Sequence, residues 1–268
     1  VKNITRLQNM RRKIPIKVDI SLILVAVIGL GLSLTAFFYV KQWESNQAIE
    51  EHKKQVNEHV RVLRQAFTTF GNILNSVRGL ANVHQRITRA NFTQFVKNDL
   101  LAQPGILALE WVPRVPAGRR QEISASARTE GINGFHFWEF SDDGEKHRAG
   151  QRETYYPVLF AEQKSPNTKT LGYDVGSNPT LRAALEKARD IGQLTTSGAI
   201  GLPTPNDQAL GFRVFMPVYQ GDTAPLTQAE RRRNLLGFAV GVFLLQNMVE
   251  RVLRLPKHKT KEFLRIFD

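Results

Sequence analysis

The sequence predicts an α+β protein in which a transmembrane helix and a long stalk helix precede a globular region of mixed helices and strands. The first observation is an uncharged run of 21 residues, Ile20–Val40, near the N-terminus. The second is a series of apolar residues at heptad spacing after this run. The third is a region beyond residue 90 in which short apolar segments, typical of strands, alternate with helical segments.

The uncharged run has the length and the flanking residues of a transmembrane helix. As a helix, Ile20–Val40 would be about 31 Å long at roughly 1.5 Å per residue, which matches the hydrocarbon core of a bilayer. A cleaved signal peptide has a shorter apolar run and a small-residue cleavage site, whereas this run ends in aromatic residues followed by Lys41. We therefore predict an uncleaved transmembrane helix at residues 19–40.

The basic residues predict the orientation of this helix. The net charge is +13, and residues 1–18 hold six basic residues and no acid, which the positive-inside rule places in the cytoplasm. Everything after Lys41 is then extracytoplasmic, and in a Gram-negative bacterium this means an inner-membrane helix with a periplasmic domain. A nucleic-acid partner is not expected there, so we predict that Arg231–Arg233 is solvated or faces lipid headgroups. The basic C-terminal segment, 251–268, is either membrane-proximal or truncated.

A heptad pattern follows the transmembrane run. Residues 41–90 have no proline, so one stalk helix is predicted there. Its apolar seam could pack along the chain's own domain, or it could form a parallel homodimer with a second copy. Two copies anchored in one membrane are held parallel, which favours the dimer. The seam consists of Ile49, Val56, Val60, Leu63, Phe67, Phe70, Leu74 and Val77.

Short helices and strands make up the rest of the chain. The helix predicted at Asn178–Ile191 has the clearest signals, with Asn178 as N-cap, Pro179 in the first turn and Gly192 as its stop. A charged loop containing Glu230–Arg233 is expected between the last two strands. The other predicted helices are Asn91–Leu101 and Ala117–Thr129, and the predicted strands are Ile106–Val112, Phe135–Phe140, Tyr155–Ala161, Leu210–Tyr219 and Leu235–Leu245.

Sequence patterns of catalytic and metal sites are not found. The chain has no cysteine, and its six histidines are scattered along the sequence. It contains no serine-nucleophile motif, zinc-protease motif or glycine-rich phosphate loop. Glu110 and Glu139 lie in apolar strands and could be buried acids, but two strand glutamates are more often edge or rim residues than a catalytic pair. We therefore expect no enzyme activity, no cofactor and no metal site.

Several separated blocks of sequence carry a family resemblance. They are LEWVPRVP (Leu109–Pro116), YYPVLFAE (Tyr155–Glu162), Leu171–Gly192, GFRVFMPVYQ (Gly211–Gln220) and GFAVGVF (Gly237–Phe243). In this order they resemble the CHASE domain, the extracytoplasmic sensory module of plant cytokinin receptors and of many bacterial histidine kinases, diguanylate cyclases and nucleotide cyclases. The resemblance covers residues 91–250 and implies tandem PAS-like sensory subdomains after the stalk helix, the membrane-distal one binding a small ligand.

The resemblance also implies a ligand site. Asp174 stands where an aspartate of the cytokinin receptors hydrogen-bonds the adenine-like ring of the ligand. Alternatively, Asp174 closes an Asx-type turn before the helix, with its side chain at the surface. Since strand residues alternate between two faces, about half of the other family positions are expected to point away from the pocket. These other positions are Tyr156, Phe160, Thr196, Phe212, Val214, Met216, Phe238 and Gly241.

The predicted function is the small-molecule-sensing domain of a membrane-anchored signal-transduction receptor. A kinase or cyclase output domain, which the family normally carries, is absent from this chain. The residues around the helix start differ from those of the plant domain, so a ligand other than a cytokinin is expected. The alternative is a membrane-tethered interaction or assembly protein with no small-molecule pocket.

Overall fold

The structure is a computed structural model of the 268-residue chain. It describes residues 20–83, 87–103, 105–141, 143–164, 170–203, 208–221 and 223–253. The chain divides into two compact units, Val1–Glu58 and His59–Asp268. The predicted cytoplasmic tail, 1–18, lies outside the described residues, as does most of the basic segment 251–268.

The first unit contains the start of one long helix, α1 (Ile20–Val83). Among the described residues, Ile23–Gln42 is long and apolar enough to cross a membrane, with a mean hydropathy of 2.4. This segment overlaps the predicted transmembrane run Ile20–Val40, and its described side chains are exposed. Helix α1 extends beyond it through most of the predicted stalk.

The second unit is built on an antiparallel sheet. Its other helices are α2 (Arg89–Ala102), α3 (Arg120–Thr129), α4 (Pro179–Ile191), α5 (Gln228–Asn234) and α6 (Leu245–Leu253). Its strands are β1 (Ile106–Pro113), β2 (Val115–Pro116), β3 (Trp138–Phe140), β4 (Lys146–Arg148), β5 (Thr154–Tyr155), β6 (Phe160–Gln163), β7 (Thr195–Thr196), β8 (Ile200–Pro203), β9 (Gln208–Tyr219) and β10 (Leu235–Leu244). Six strands form the main sheet in the order β6-β1-β10-β9-β7, with β8 also paired to β9.

Two small pairs accompany this sheet, β2 with β5 and β3 with β4. The predicted strands Phe135–Phe140 and Tyr155–Ala161 contribute residues to these pairs. Within the described residues there are thus one large sheet and two small pairs of strands, and the tandem PAS-like arrangement stays a prediction.

The local signals at helix α4 are confirmed. The Asn178 side chain accepts a hydrogen bond from the Leu181 amide at 3.1 Å, Pro179 is the first helical residue, and Gly192 ends the helix with a φ of 72°. Glycine suits this left-handed backbone conformation because it has no Cβ that would clash. The apolar stripe at Leu181, Ala184, Leu185 and Ala188 is buried.

Two local predictions are wrong. Tyr155–Ala161 is not one strand, since Tyr155 ends β5 opposite Val115 and Phe160 begins β6 opposite Trp111. Pro157, which has no amide hydrogen to donate, lies in the break between them. The predicted charged loop is helix α5, which a capping box between Thr227 and Glu230 begins.

The sheet has two buried faces, which we name after the helices packed on them. The α1 face carries Phe212, Val214, Met216 and Phe243 and is covered by the upper part of α1. The Phe70 and Phe243 ring centroids are 4.4 Å apart. The α4 face carries Val112, Phe215, Phe238 and Val240 and is covered by α4. Alternation along each strand assigns neighbouring residues to opposite faces.

The structure tests the upper part of the heptad seam, and the parallel dimer stays a prediction. In its upper part, Phe70, Leu74 and Val77 are buried against the chain's own sheet, so packing along the domain is confirmed there. Further down, Val60 is 46% exposed. The side chains of Ile49, Val56 and Leu63 lie outside the described part of the structure.

Candidate functional site

The α4 face differs from the α1 face in holding buried charges. Glu110 on β1 and Arg213 on β9 are 1% and 4% exposed, and alternation places both on the side of Val112 and Phe215. Asp174, which precedes α4, is fully buried, and Glu139 on β3 is 8% exposed. Of the two alternatives for Glu110 and Glu139, the structure supports buried acids, and the favoured interpretation as edge or rim residues is wrong.

Asp174 is held by three hydrogen-bond donors. Its Oδ1 accepts from the backbone amides of Tyr156 at 2.7 Å and Gly176 at 3.3 Å. Its Oδ2 accepts from the Arg152 guanidinium at 2.7 Å. The hydrogen bond from the Gly176 amide forms the turn that the sequence predicted. The Asp174 side chain is nevertheless buried and not at the surface.

Arg152 joins this carboxylate to a second one. Its guanidinium forms an ion pair with Glu139, whose other oxygen accepts from the Gly150 amide at 3.0 Å. Burial raises the pKa of Asp174, while the Tyr156 amide and the Arg152 charge oppose this shift. The Arg152 side chain is 25% exposed, so it is the solvent-accessible member of its ion pair with Asp174.

The second polar group on the α4 face is the ion pair between Glu110 and Arg213. A guanidinium nitrogen, Nη1, donates to Glu110 Oε2 across the intervening strand β10. The guanidinium carbon lies 5.7 Å from the centroid of the Tyr173 ring, a cation–π contact. Burial raises the pKa of Glu110, and the Arg213 charge opposes this effect.

A small cavity lies beside this pair. Its volume is about 20 Å³, and its lining includes Glu110, Arg213, Thr170, Leu202 and Val242. Glu110 Oε1 and Arg213 Nε are buried and have no partner within hydrogen-bonding geometry, although the Thr170 side chain lies close enough to Glu110 to lower the pKa of that carboxyl. Buried polar atoms normally have partners, so each exception calls for an explanation.

Larger clefts lie elsewhere on the second unit. One of about 550 Å³ is lined by exposed cations of β4, with Lys146 Nζ 3.8 Å from the centroid of the Trp138 ring. Another, of about 490 Å³, lies between β1 and α3. Charges that line these clefts are largely hydrated, so the buried charges of the α4 face are the stronger indication of a functional site.

The predicted site residues are divided between the two faces of the sheet. Asp174, Tyr156 and Phe238 come together, with the Tyr156 and Phe238 ring centroids 5.9 Å apart on the α4 face. Four of the others face α1 and Thr196 is exposed on the short strand β7. A Cβ at Gly241 would meet the Phe243 ring at 2.7 Å, which assigns this position to the α1 face as well. The four that face α1 are Phe160, Phe212, Val214 and Met216.

Sequence reasoning missed the Glu110–Arg213 pair. The available signal was a single charge inside each of two apolar strands, ILALEWV and LGFRVFM. A charge in the middle of a buried strand requires a partner. When one such strand carries an acid and another carries a base, the two charges are expected to pair.

Comparisons with known proteins place the chain in a family. The periplasmic sensory domain of the chemoreceptor Tlp1 of Campylobacter jejuni superposes with a TM-score of 0.44 and 10% sequence identity, covering 74% of this chain and 59% of that one. Hybrid signal transduction histidine kinase A of Dictyostelium discoideum is 24% identical over 254 residues, which are 90% of this chain and 12% of the kinase. This chain thus spans about an eighth of the length of that relative. The sequence profile of the CHASE domain, a sensory domain of signalling receptors, matches residues 85–268, so the chain belongs to the CHASE domain family.

Proposed function

We propose that this chain is the sensory module of a membrane-anchored receptor and that it binds a small molecule on the α4 face of its sheet. The observation that carries the proposal is a set of buried charges on this side of the sheet. Glu110 and Arg213 lie on its strands, and Asp174 and Glu139 share Arg152 beside the turn that precedes α4. On the α1 face of the same strands, the buried cluster consists of apolar side chains.

Buried charges are poor devices for stability alone. Each charge loses its hydration on folding, and an apolar pair of the same volume is often at least as stable as a buried ion pair. Groups whose pKa is shifted by burial are found preferentially at functional sites. Ligand pockets in proteins combine apolar walls with a few polar groups, which is the composition of the α4 face.

We still propose that Asp174 contacts the ligand. The ligand would replace one of the present hydrogen-bond partners of the Asp174 carboxylate. The amides of Tyr156 and Gly176 are fixed by the backbone, whereas Arg152 is partly exposed and can be rehydrated. A ligand N–H group would therefore replace the Arg152 hydrogen bond at Oδ2. Tyr156 and Phe238 would supply the apolar wall.

A thermal-shift screen of the full chain in detergent tests ligand binding. The panel should contain purines, amino acids, small carboxylic acids and amines. We expect at least one class to raise the unfolding midpoint in a concentration-dependent way, because a ligand that binds the folded state alone stabilises it. If no compound does so, the small-molecule role is wrong and the tethered-interaction alternative is supported.

The anchoring, orientation and dimer are further parts of the proposal. Anchoring is supported by the apolar segment Ile23–Gln42, and a parallel dimer by the exposure of Val60 on the predicted seam. Since the chain has no cysteine, Val60→Cys introduces a single thiol. We expect disulfide cross-linking of this variant in membranes and much less for Gln65→Cys, an exposed position on another side of the helix. Equal cross-linking of the two variants would contradict the prediction that the heptad seam forms the dimer interface.

A further inference from the structure

We infer that Glu110 and Arg213 form the subsite for the ammonium and carboxylate groups of a small zwitterion, an aliphatic amino acid being the simplest example. The inference deepens the proposed small-molecule role and rests on it. It starts from the two buried atoms that the protein leaves without a partner, Glu110 Oε1 and Arg213 Nε.

These two atoms are an acceptor on an anion and a donor on a cation. A carboxylate accepts at both oxygens, yet only Oε2 of Glu110 is engaged by Arg213. A guanidinium has several N–H donors arranged to hold a carboxylate in two places, yet the Nε hydrogen is unused. The unused positions match a ligand ammonium and a ligand carboxylate respectively.

Charge balance favours a zwitterion over an ion of one sign. The buried pair carries no net charge, and the insertion of a zwitterion keeps the net charge at zero. A simple anion or cation would bring one uncompensated charge into a buried site, which is strongly unfavourable. The ligand can separate the two side chains because its own charges replace the contact that it breaks.

The cavity beside the Glu110–Arg213 pair indicates where a ligand would enter the site. Its volume of about 20 Å³ has room for no more than a water molecule, so a ligand must displace part of the lining. The most easily displaced part is β8, an edge strand that pairs with β9 on one side. Leu202 of β8 closes the cavity in a small apolar cluster with Ala108 and Val242.

The lining also indicates the kind of side chain that the ligand carries. Leu107, Ala108, Leu202 and Val242 give the cavity an apolar wall, while Gln163 and Thr170 lie at its polar side, joined by a hydrogen bond of 2.8 Å. A short aliphatic side chain fits the apolar wall, so we expect alanine, valine or leucine to bind better than acidic or basic amino acids.

Isothermal titration of the full chain in detergent with these amino acids tests the inference. Propionate and ethylamine, which lack one charged group of alanine, are the matched ligands. We expect an amino acid to bind and the one-charge analogues to bind about tenfold more weakly or worse, since each leaves a buried charge unpaired. If propionate binds as well as alanine, the assignment of Glu110 to an ammonium group is overturned.

The matched protein variant removes both buried charges together. Glu110→Gln/Arg213→Met keeps the side-chain volumes and leaves no unpaired ion, so it should fold, as circular dichroism would verify. It should lose amino-acid binding by about tenfold or more. The control Glu186→Gln/Arg182→Met removes an exposed pair on α4 and should bind like the wild type.

A third variant separates the ligand role from a structural one. Leu202→Ala removes the side chain that closes the cavity, so it should lower stability but tighten amino-acid binding. Weaker or unchanged binding would contradict the entry at β8. Should a ligand of another class bind the chain and bind the double variant equally well, the subsite is wrong while the proposed function stands. If no compound of the wider panel binds, the proposed function itself fails.

Discussion

Substitution of Asp174 by alanine should cause a large loss of stability, whatever its effect on ligands. The change leaves the buried Tyr156 amide without its acceptor at 2.7 Å. An unsatisfied buried donor costs about 1–3 kcal/mol. The longer Gly176 contact and the Arg152 ion pair add less, about 1 kcal/mol together, because Arg152 is 25% exposed and water replaces its partner.

The expected loss is therefore about 2–4 kcal/mol, a large part of the 5–15 kcal/mol typical of a domain. It can be measured as the shift in urea midpoint of the full chain, followed by tryptophan fluorescence. Trp138 is a suitable probe, since its ring centroid lies 5.0 Å from that of Tyr173, next to the site. The variant should have the same slope as the wild type if the unfolding reaction is unchanged.

Asp174→Asn is the matched control, because it keeps an oxygen for the Tyr156 amide but replaces Oδ2, the acceptor of the Arg152 hydrogen bond, by an NH2 group. Its loss should be about 1 kcal/mol. If Asp174→Ala unfolds within about 0.5 kcal/mol of the wild type, the buried network does not hold this region and the reasoning is refuted. A loss of ligand binding in the alanine variant alone would be ambiguous, whereas a loss in the asparagine variant would indicate a ligand contact.

Three further predictions concern the rest of the second unit. Phe70→Ala should lower the free energy of unfolding by about 3–5 kcal/mol through cavity formation, and Val60→Ala by less than about 0.5 kcal/mol, in urea titrations. Hydrogen bonds from Arg232 hold the pKa of Asp190 well below its usual value, so its stabilisation is present above pH ~4 and lost as the pH falls. The stability difference between the wild type and Asp190→Asn should accordingly shrink between about pH 5 and 2, and a constant difference would contradict this. Gly172→Ala should cost about 1–3 kcal/mol by thermal or urea unfolding, because its φ is +83° and a Cβ would collide with a backbone carbonyl.

The elements that sequence predicted well are those specified by neighbouring residues. Helix α4 has its cap, proline, apolar stripe and stop within 15 residues, Asn178–Gly192, and each acts as expected. Strands β9 and β10 are long apolar runs, and both begin and end within two residues of their predicted limits. Local interactions decide these features, so a sequence pattern suffices for them.

The segment after Tyr155 shows where such patterns fail. Its composition is that of a buried strand, but the chain leaves β5 at Tyr155 and joins another partner at Phe160. Which strand a residue pairs with depends on distant parts of the chain. The same limit applies to the site, since Glu110 and Arg213 are 103 positions apart in the sequence. Only the register of β1, β10 and β9 brings them to one face of the sheet.

The two faces of β9 give a physical route from a ligand to α1. Arg213 points to the α4 face, whereas its neighbours Phe212 and Val214 point to the α1 face and pack in the same cluster as Phe70. Protein interiors are close-packed, so a displacement of the β9 backbone by a ligand at Arg213 would be felt by the side chains against α1. If α1 has two positions relative to the sheet, a ligand shifts the balance between them only by the difference in its affinity for the two. A ligand that separated the Glu110–Arg213 pair would act on α1 through strand β9, which carries both the arginine and the contacts to the helix.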